Sequence, residues 1–338
     1  MIVVLKPNIS KKEEKAVLTE IRKLGYIPHV MRGVERTVIG AIGDERTHHT
    51  LETLAAWPQV EKVMPVQKRY KLVSRDAHKA NSTISLPNGV VIGGRKVVVM
   101  AGPCSVESET QLMTTAEAVK KAGATVLRGG AFKPRTSPYE FQGLGPKGLK
   151  LLAKARRETG LPIITELLSE AHAELVGEYA DIIQIGTRNA QNFQLLIAAA
   201  RTGKPVLLKR GLAMRIEEWL LAGEYILANN NPNLLFCERG IRTFETYTRN
   251  TLDLSTIPII KKESHCPIVI DPSQGSGKAD LVIAMCKGAV AMGADALLVE
   301  VHPNPAEAWS DGAQQVDIPG FTRLMEELKP FITAAGRE

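Results

Sequence analysis

The chain lacks any apolar run approaching the roughly 20 residues that would span a bilayer. Its opening residues, MIVVLKP, carry no basic n-region, and the apolar stretch is too short for a secretory signal. The expected compartment is therefore the cytoplasm. Aromatic residues are scarce, at 5% of the chain, which leaves little material for a basic surface interleaved with stacking rings. The cysteines, Cys104, Cys237, Cys266 and Cys286, show no CxxC spacing, which argues against a zinc knuckle or a dithiol redox pair. Neither a GxGxxG fingerprint nor a Walker A sequence occurs, and no tract is of low complexity.

What is present is an ordinary globular composition in 338 residues, enough for a large core and one to three domains. The net charge of +7 admits two readings, a nucleic-acid surface or a pocket for small anions. The Arg and Lys residues that stand out lie singly at the ends of apolar runs, which favours the pocket. Cys237 and Cys286 sit in apolar surroundings and are expected to pack as small hydrophobes.

Residues 1–67 read as a small βαββαβ unit, a ferredoxin-like pattern. Ile2–Leu5 is strand-like, and Ser10 followed by Glu13 forms a capping box. Val17, Ile21 and Leu24 share one helical face, which Gly25 ends. His29–Met31 and Arg36–Ile42 read as strands, Thr50–Trp57 as a short helix, and Val63–Val66 as the closing strand. His48 and His49 are adjacent and face different ways on a helix, so a solvated loop or cap is expected rather than a metal pair. Residues 68–89 read as a polar linker with some extended structure. Val90–Ile92, Gly93-Gly94 and Val97–Val99 look like a hairpin opening the main domain, 90–338.

From there apolar runs alternate with helical patterns. The runs are Val97–Met100, Thr125–Leu127, Pro162–Thr165, Asp181–Ile185, Pro205–Leu208, Leu234–Cys237, Pro267–Ile270 and Ala296–Val299. Between them, helices are expected from the Ser108–Gln111 capping box to Gly123, and over Gly148–Thr159, Ser169–Tyr179, Asn192–Ala200, Ile216–Ala228, Thr251–Lys262 and Ala279–Met292. Near-continuous apolar strands followed by helices mean parallel strands buried on both faces. Eight such units fit a (β/α)₈ barrel, with an open doubly wound sheet as the alternative.

Barrel enzymes place their chemistry at the carboxyl ends of the strands. In turn these ends carry Cys104; Arg128 with Lys133 and Arg135; Glu166; Arg188; Lys209 with Arg210; Glu238 with Arg239; Asp271 with Gln274; and Glu300. Arg128, Lys133, Arg135, Arg188, Lys209 and Arg239 are expected to converge on one cavity. So many cations require matching anions, so the substrates should bring at least two phosphate or carboxylate groups. Strands one and eight of a closed barrel are neighbours, which would bring Cys104, Glu300 and Asp311 together. A thiolate with two carboxylates suits a divalent metal; a buried free cysteine beside two salt-bridged acids is the alternative.

The segments AGPCS (101–105), LRGGAFKPRTSPY (127–139), QIGTRNAQN (184–192), LLKRG (207–211), CERGIRTFE (237–245), IDPS (270–273) and VEVHPNP (299–305) resemble 3-deoxy-D-arabino-heptulosonate 7-phosphate (DAHP) synthase. The resemblance covers essentially the whole chain and is to the subgroup with an N-terminal ferredoxin-like regulatory domain. The KPRTS loop separates it from the related 3-deoxy-octulosonate 8-phosphate synthases, which carry a KANRS-type loop. The resemblance implies condensation of phosphoenolpyruvate with erythrose 4-phosphate, the first step towards aromatic amino acids. It implies that Arg128, Lys133, Arg188, Lys209 and Arg239 hold phosphoenolpyruvate, with Glu166 also at the substrate site. Arg135, Thr136 and Ser137 would hold the sugar phosphate. It assigns catalytic work to Lys133, Cys104 and Asp271. Lys133 is the candidate for proton traffic, with a pKa expected to be lowered by neighbouring cations; a fixed charge on a carboxylate is its alternative role. A divalent ion (manganese, zinc, iron, cobalt or cadmium) would sit on Cys104, Glu300 and Asp311 and polarise the aldehyde. Where the family has DPSHxxG, this chain has Gln274 in place of the metal-binding histidine. The consequences are a weaker or altered metal site, substitution by His302, or a protein that binds ligands without turnover. The resemblance further implies a tyrosine or phenylalanine inhibitor at the N-terminal domain, and a homotetramer.

Overall fold

The computed structural model describes residues 1–33, 36–43, 48–64 and 68–338, and the chain divides into two compact units, Met1–Arg69 and Tyr70–Glu338. The side chains of His48 and His49, and residues Pro65 and Val66 of the expected last strand, lie outside the described residues.

The first unit runs β1 (Ile2–Leu5), α1 (Lys11–Lys23), β2 (Ile27–Arg32), β3 (Thr37–Ile42), α2 (His48–Glu52) and β4 (Val60–Met64). The sheet order is β2-β3-β1-β4, antiparallel throughout, which is the ferredoxin-like arrangement. The Ser10–Glu13 capping box forms reciprocally: Glu13 N–H donates to Ser10 Oγ at 3.2 Å, and Ser10 N–H donates to Glu13 Oε2 at 2.7 Å. Val17 and Ile21 on α1 bury against Val3, Leu5 and Ile39 of the sheet.

The second unit begins with a strap, residues 70–92, that contains the short strands β5 (Ile84–Ser85) and β6 (Val91–Ile92). β6 pairs with β5, antiparallel, and not with the strand that follows it, so the hairpin expected over 90–99 is corrected. The strap is fixed more firmly than its polar sequence suggests. Glu224 accepts from the N–H groups of Lys71, Leu72 and Val73 at 2.7–3.0 Å. His265 bonds the Leu72 carbonyl and Ser82 Oγ at 2.8 and 2.7 Å.

The barrel strands follow: β7 (Val98–Gly102), β8 (Val126–Arg128), β9 (Ile163–Glu166), β10 (Ile182–Ile185), β11 (Val206–Lys209), β12 (Leu234–Glu238), β13 (Ile268–Ile270) and β14 (Ala296–Glu300). They pair in parallel in sequence order, and β14 closes on β7, forming a closed eight-stranded barrel. Alternate residues face opposite ways. Val98 and Met100 of β7 join the interior cluster, while Val99 and Ala101 pack towards the helices. That double burial explains why the strands read as continuous apolar runs. Ile84, Leu86 and Ile92 of the strap belong to the interior cluster and close the barrel where the strands begin.

Outside lie α3 (Glu109–Ala122), α4 (Pro146–Thr159), α5 (Ala173–Tyr179), α6 (Phe193–Arg201), α7 (Ile216–Ala228), α8 (Thr256–Glu263), α9 (Pro272–Ser276), α10 (Ala279–Ala291) and α11 (Ile318–Ala334). At α3 Ser108 Oγ caps Gln111 N–H, but the Gln111 amide turns to the Ser105 carbonyl and Glu107 N–H, so half of the expected box is made. α8 starts at Thr256, later than expected, because Asp253 Oδ2 accepts from Thr256 Oγ1 and Thr251 pairs with Ile241 instead. The short α9 and the C-terminal α11, capped by Asp317, are additions to the sequence expectation.

Candidate active site

Strand parity aims the last residue of several strands inward. Arg128, Glu166, Lys209 and Glu300 each end a strand, and Arg239 follows β12 directly. Glycine makes room for them. A Cβ at Gly186, just after β10, would overlap the Glu166 carboxylate, and one at Gly130 would meet the Cys104 carbonyl at 2.7 Å. Asp271 caps α9 by accepting from Gln274 N–H at 2.9 Å, and that bond places the Gln274 side chain at the rim.

These residues surround a cavity of about 450 Å³. Six cationic side chains line it, Lys133, Arg135, Arg188, Lys209, Arg239 and Arg249, against the carboxylates Glu140, Glu166 and Asp311. The excess positive charge is partly desolvated: Lys209 is 4% exposed and Arg239 6%. The Nε–H groups of Arg128 and Arg239 and the hydroxyl of Thr187 are buried without a hydrogen-bond partner among the described residues. Such orphaned donors cost about 1–3 kcal/mol each. Arg239 and Thr187 line the cavity, so an anion lodged there would relieve that cost.

A second group of side chains adjoins the cavity and shares Asp311 with its lining. Cys104 Sγ and carboxylate oxygens of Glu300 and Asp311 all fall within 4.8 Å of one another. Asp311 holds its position in the left-handed region, at φ 48°, a strained conformation for a residue with a side chain. Gln314 Nε2 donates to Glu300 Oε2 at 2.6 Å, and Cys104 N–H donates to Gln315 Oε1 at 3.0 Å. Burial opposes ionisation of Glu300, but Arg128, which pairs with it, and Lys133 hold its pKa down to about 2. Burial and then Glu300 push the Cys104 thiol up to about 11, against the pull of Lys133. A divalent cation would reverse that balance by favouring the thiolate. One soft and two hard anionic donors at this spacing fit such an ion.

Lys133 links the cavity to this group. Its ammonium donates to Cys104 Sγ at 3.0 Å and to the Cys104 carbonyl at 3.1 Å. Burial works to lower its pKa, but Cys104 and Glu300 outweigh burial and raise it. The expected depression is therefore corrected: Cys104 and the Glu300 carboxylate count for more than burial and the neighbouring Arg128, and the Lys133 ammonium keeps its proton.

Of the residues singled out in the sequence, Lys133, Arg135, Thr136, Glu166, Arg188, Lys209, Arg239 and Gln274 line the cavity. Arg128 does not; it is buried against Glu300. Arg135 is held by Glu140 at 3.1–3.2 Å, and Ser137 Oγ accepts from Tyr139 N–H away from the lining. Asp271 lies under Lys209, accepting from its Nζ at 2.6 Å, and is fully buried. His302 is not a spare ligand: its Nε2 meets Glu107 at 3.2 Å and its Nδ1 accepts from Asn304 N–H at 3.0 Å. Arg210 turns outward to Glu238, Asp253 and Thr256. Sequence reasoning missed Arg249, which reaches Asp311 at 3.3 Å and Gln314 at 3.0 Å from the long loop after β12, where no strand end marks it. It also missed Gln184 and Thr187, whose motif, QIGTRNAQN, was in view.

A sequence model of the DAHP synthetase I family matches residues 77–334, and one of the DAHP synthase ferredoxin-like domain matches residues 1–68. The chain is 50% identical over 336 residues, 99% of each chain, to phospho-2-dehydro-3-deoxyheptonate aldolase of Thermotoga maritima. It is 32% identical over 268 residues to 2-dehydro-3-deoxyphosphooctonate aldolase of Caulobacter vibrioides, covering 72% of this chain and 92% of that one. Among solved structures, a Thermotoga maritima DAHP synthase superposes with a TM-score of 0.95 at 49% identity, over 100% of this chain and 98% of that one. A truncated form of the Thermotoga maritima enzyme superposes at 0.75 over 80% of this chain.

Proposed function

Because the chain belongs to the DAHP synthetase I family, we propose that the cavity at the carboxyl ends of its barrel strands is where it works, with the roles given below. The chain is a 3-deoxy-7-phosphoheptulonate synthase. It condenses phosphoenolpyruvate, erythrose 4-phosphate and water to DAHP and phosphate. The observation that carries the site assignment is the ring of cations with unpaired donors around one cavity, beside the Cys104, Glu300 and Asp311 cluster.

Lys133, Arg188, Lys209 and Arg239 would take the phosphate and carboxylate of phosphoenolpyruvate, the guanidinium groups by paired donors. Arg128 supports them indirectly by holding Glu300 in place. Arg135 and Thr136, at the other side of the cavity, would take the phosphate of erythrose 4-phosphate, Arg135 exchanging Glu140 for it. Asp271 orients Lys209 and is a positioning residue. Cys104, Glu300 and Asp311 would hold a divalent cation such as manganese, zinc, iron, cobalt or cadmium, which when bound supplies Lewis-acid polarisation of the aldehyde. C3 of phosphoenolpyruvate bonds to the aldehyde carbon, and the aldehyde oxygen takes up a proton. Lys133, charged and in contact with Cys104, would give it. Water adds at C2, and phosphate leaves with its bridging oxygen by C–O cleavage. Glu166, at the wall and held by Gln184 at 3.2 Å, would orient that water.

The N-terminal unit would bind tyrosine or phenylalanine as a feedback inhibitor, and the assembly would be a homotetramer; the ferredoxin-like domain match supports a regulatory role. Removing residues 1–67 is expected to leave catalysis and abolish inhibition; inhibition that survives the truncation refutes this. The activity itself is tested with both substrates across manganese, zinc, cobalt and iron. Product with at least one metal is expected. No product with any of them favours a ligand-binding protein without turnover, the reading that Gln274 motivates.

A further inference from the structure

We propose that Gln274 is an amide switch between the two halves of the site: an anion on Arg239 and a cation on Cys104, Glu300 and Asp311 strengthen each other's binding through its orientation. The inference rests on the reading that the cavity takes phosphoenolpyruvate and the cysteine cluster a divalent ion.

The Gln274 amide spans the boundary. Its Oε1 accepts from Arg239 Nη2 at 3.0 Å. Its Nε2 donates to Glu300 Oε1 at 3.1 Å and to Asp311 Oδ2 at 3.3 Å. These contacts fix which end is which. A reversed amide would set N–H groups against a guanidinium and an oxygen against two carboxylates. In this orientation the amide presents donors towards the place where a cation would sit, and occupies carboxylate oxygens the cation needs.

An anion in the cavity changes the balance. It draws Arg239 Nη2 to itself and also meets the buried Nε–H, which has no partner among the described residues. Oε1 is thereby released. The terminal torsion of glutamine is soft and roughly two-fold, so the amide can turn at little cost. Once turned, Oε1 faces the cation as a fourth donor, and Nε2 faces the anion. The backbone need not move: Gln274 N–H stays on Asp271 at 2.9 Å, and its carbonyl stays on Asn250 Nδ2 at 2.9 Å. Each ligand favours the same amide orientation, and such coupling is reciprocal.

The test uses the full-length protein and cobalt(II), followed through the thiolate-to-cobalt absorption of Cys104, with and without phosphoenolpyruvate. Phosphoenolpyruvate is expected to tighten cobalt binding, and cobalt to tighten phosphoenolpyruvate binding by the same factor. Gln274→Leu keeps the backbone bonds and removes the amide; direct attraction between the bound charges remains. The coupling factor is expected to be about tenfold smaller in this variant than in the unaltered protein. Gln274→Met serves if a thermal melt shows that Gln274→Leu is not folded. Equal coupling with and without the amide, while the absorption band persists, overturns the switch alone. No thiolate band in any condition overturns the cation site and the switch together.

Discussion

The strands that build the barrel have two ends of opposite character. Where they begin, Ile84, Leu86 and Ile92 of the strap pack on Val98, Val126 and Ala296 and close the interior with apolar contacts. Where they finish, Glu166, Lys209 and Glu300 stand buried among cations, carboxylates and unpaired donors. The first end gains free energy by removing about 25 cal/mol per Å² of apolar surface from water. The second spends some of it on desolvated charge, which ligands would neutralise. The proposed function therefore falls at the end that is costly to fold, and the apolar packing that stabilises the barrel at the other.

Changes at the two ends should separate these properties. The largest effect is expected from Lys133→Ala, which removes the charged donor and should lower kcat by about 10²–10⁴-fold with little change in melting temperature. A kcat within a few-fold of the unaltered protein would remove Lys133 from the chemistry. At the opposite end, Ile92→Ala truncates a fully buried side chain. It should destabilise the barrel by about 2–5 kcal/mol in denaturant while leaving kcat unchanged at 25 °C. A loss of activity without a loss of stability would show that the two ends are not independent.

Gln274→His should raise affinity for cobalt or zinc by about tenfold or more, since imidazole is the better ligand for such ions. Unchanged affinity would place Gln274 away from the cation.

The smallest effect is expected at the strap. His265 has its pKa lowered by burial, with the neighbouring charges of His78 and Arg75 acting the same way against the Leu72 hydrogen bond. The unfolded chain then binds the proton more readily than the folded one, so stability is lost as pH falls from about 6.5 towards the lower folded value. Protonation also costs Nδ1 its role as acceptor from Ser82. Protection factors over residues 70–92, the observed hydrogen-exchange rates divided into the intrinsic ones, should fall between pH 7.5 and 5.5; protection that stays constant across that range would contradict this.

The barrel strands were legible because both their faces are buried, which writes them as apolar runs. The cavity was legible because its charges abut those runs. What lay off that pattern was harder to read. Arg249 sits in a long loop with no period to mark it. The strap looked like a linker because Ile84, Leu86 and Ile92 are spaced among polar residues. Arg128 was expected in the cavity, but a strand-end position fixes where a residue starts and not which partner takes its head group; Glu300 takes it. The direction of the Lys133 shift needed the three-dimensional placement of Cys104 and Glu300, which lie far from it in the chain.

The central claim is that dispersed cations and the cysteine cluster form one site for phosphorylated substrates. A crystal structure of the protein soaked with phosphoenolpyruvate and manganese tests it most directly. The account predicts phosphoenolpyruvate against Lys133, Lys209 and Arg239, with manganese on Cys104, Glu300 and Asp311 beside it. Phosphoenolpyruvate bound elsewhere, with this cavity holding solvent, would contradict it.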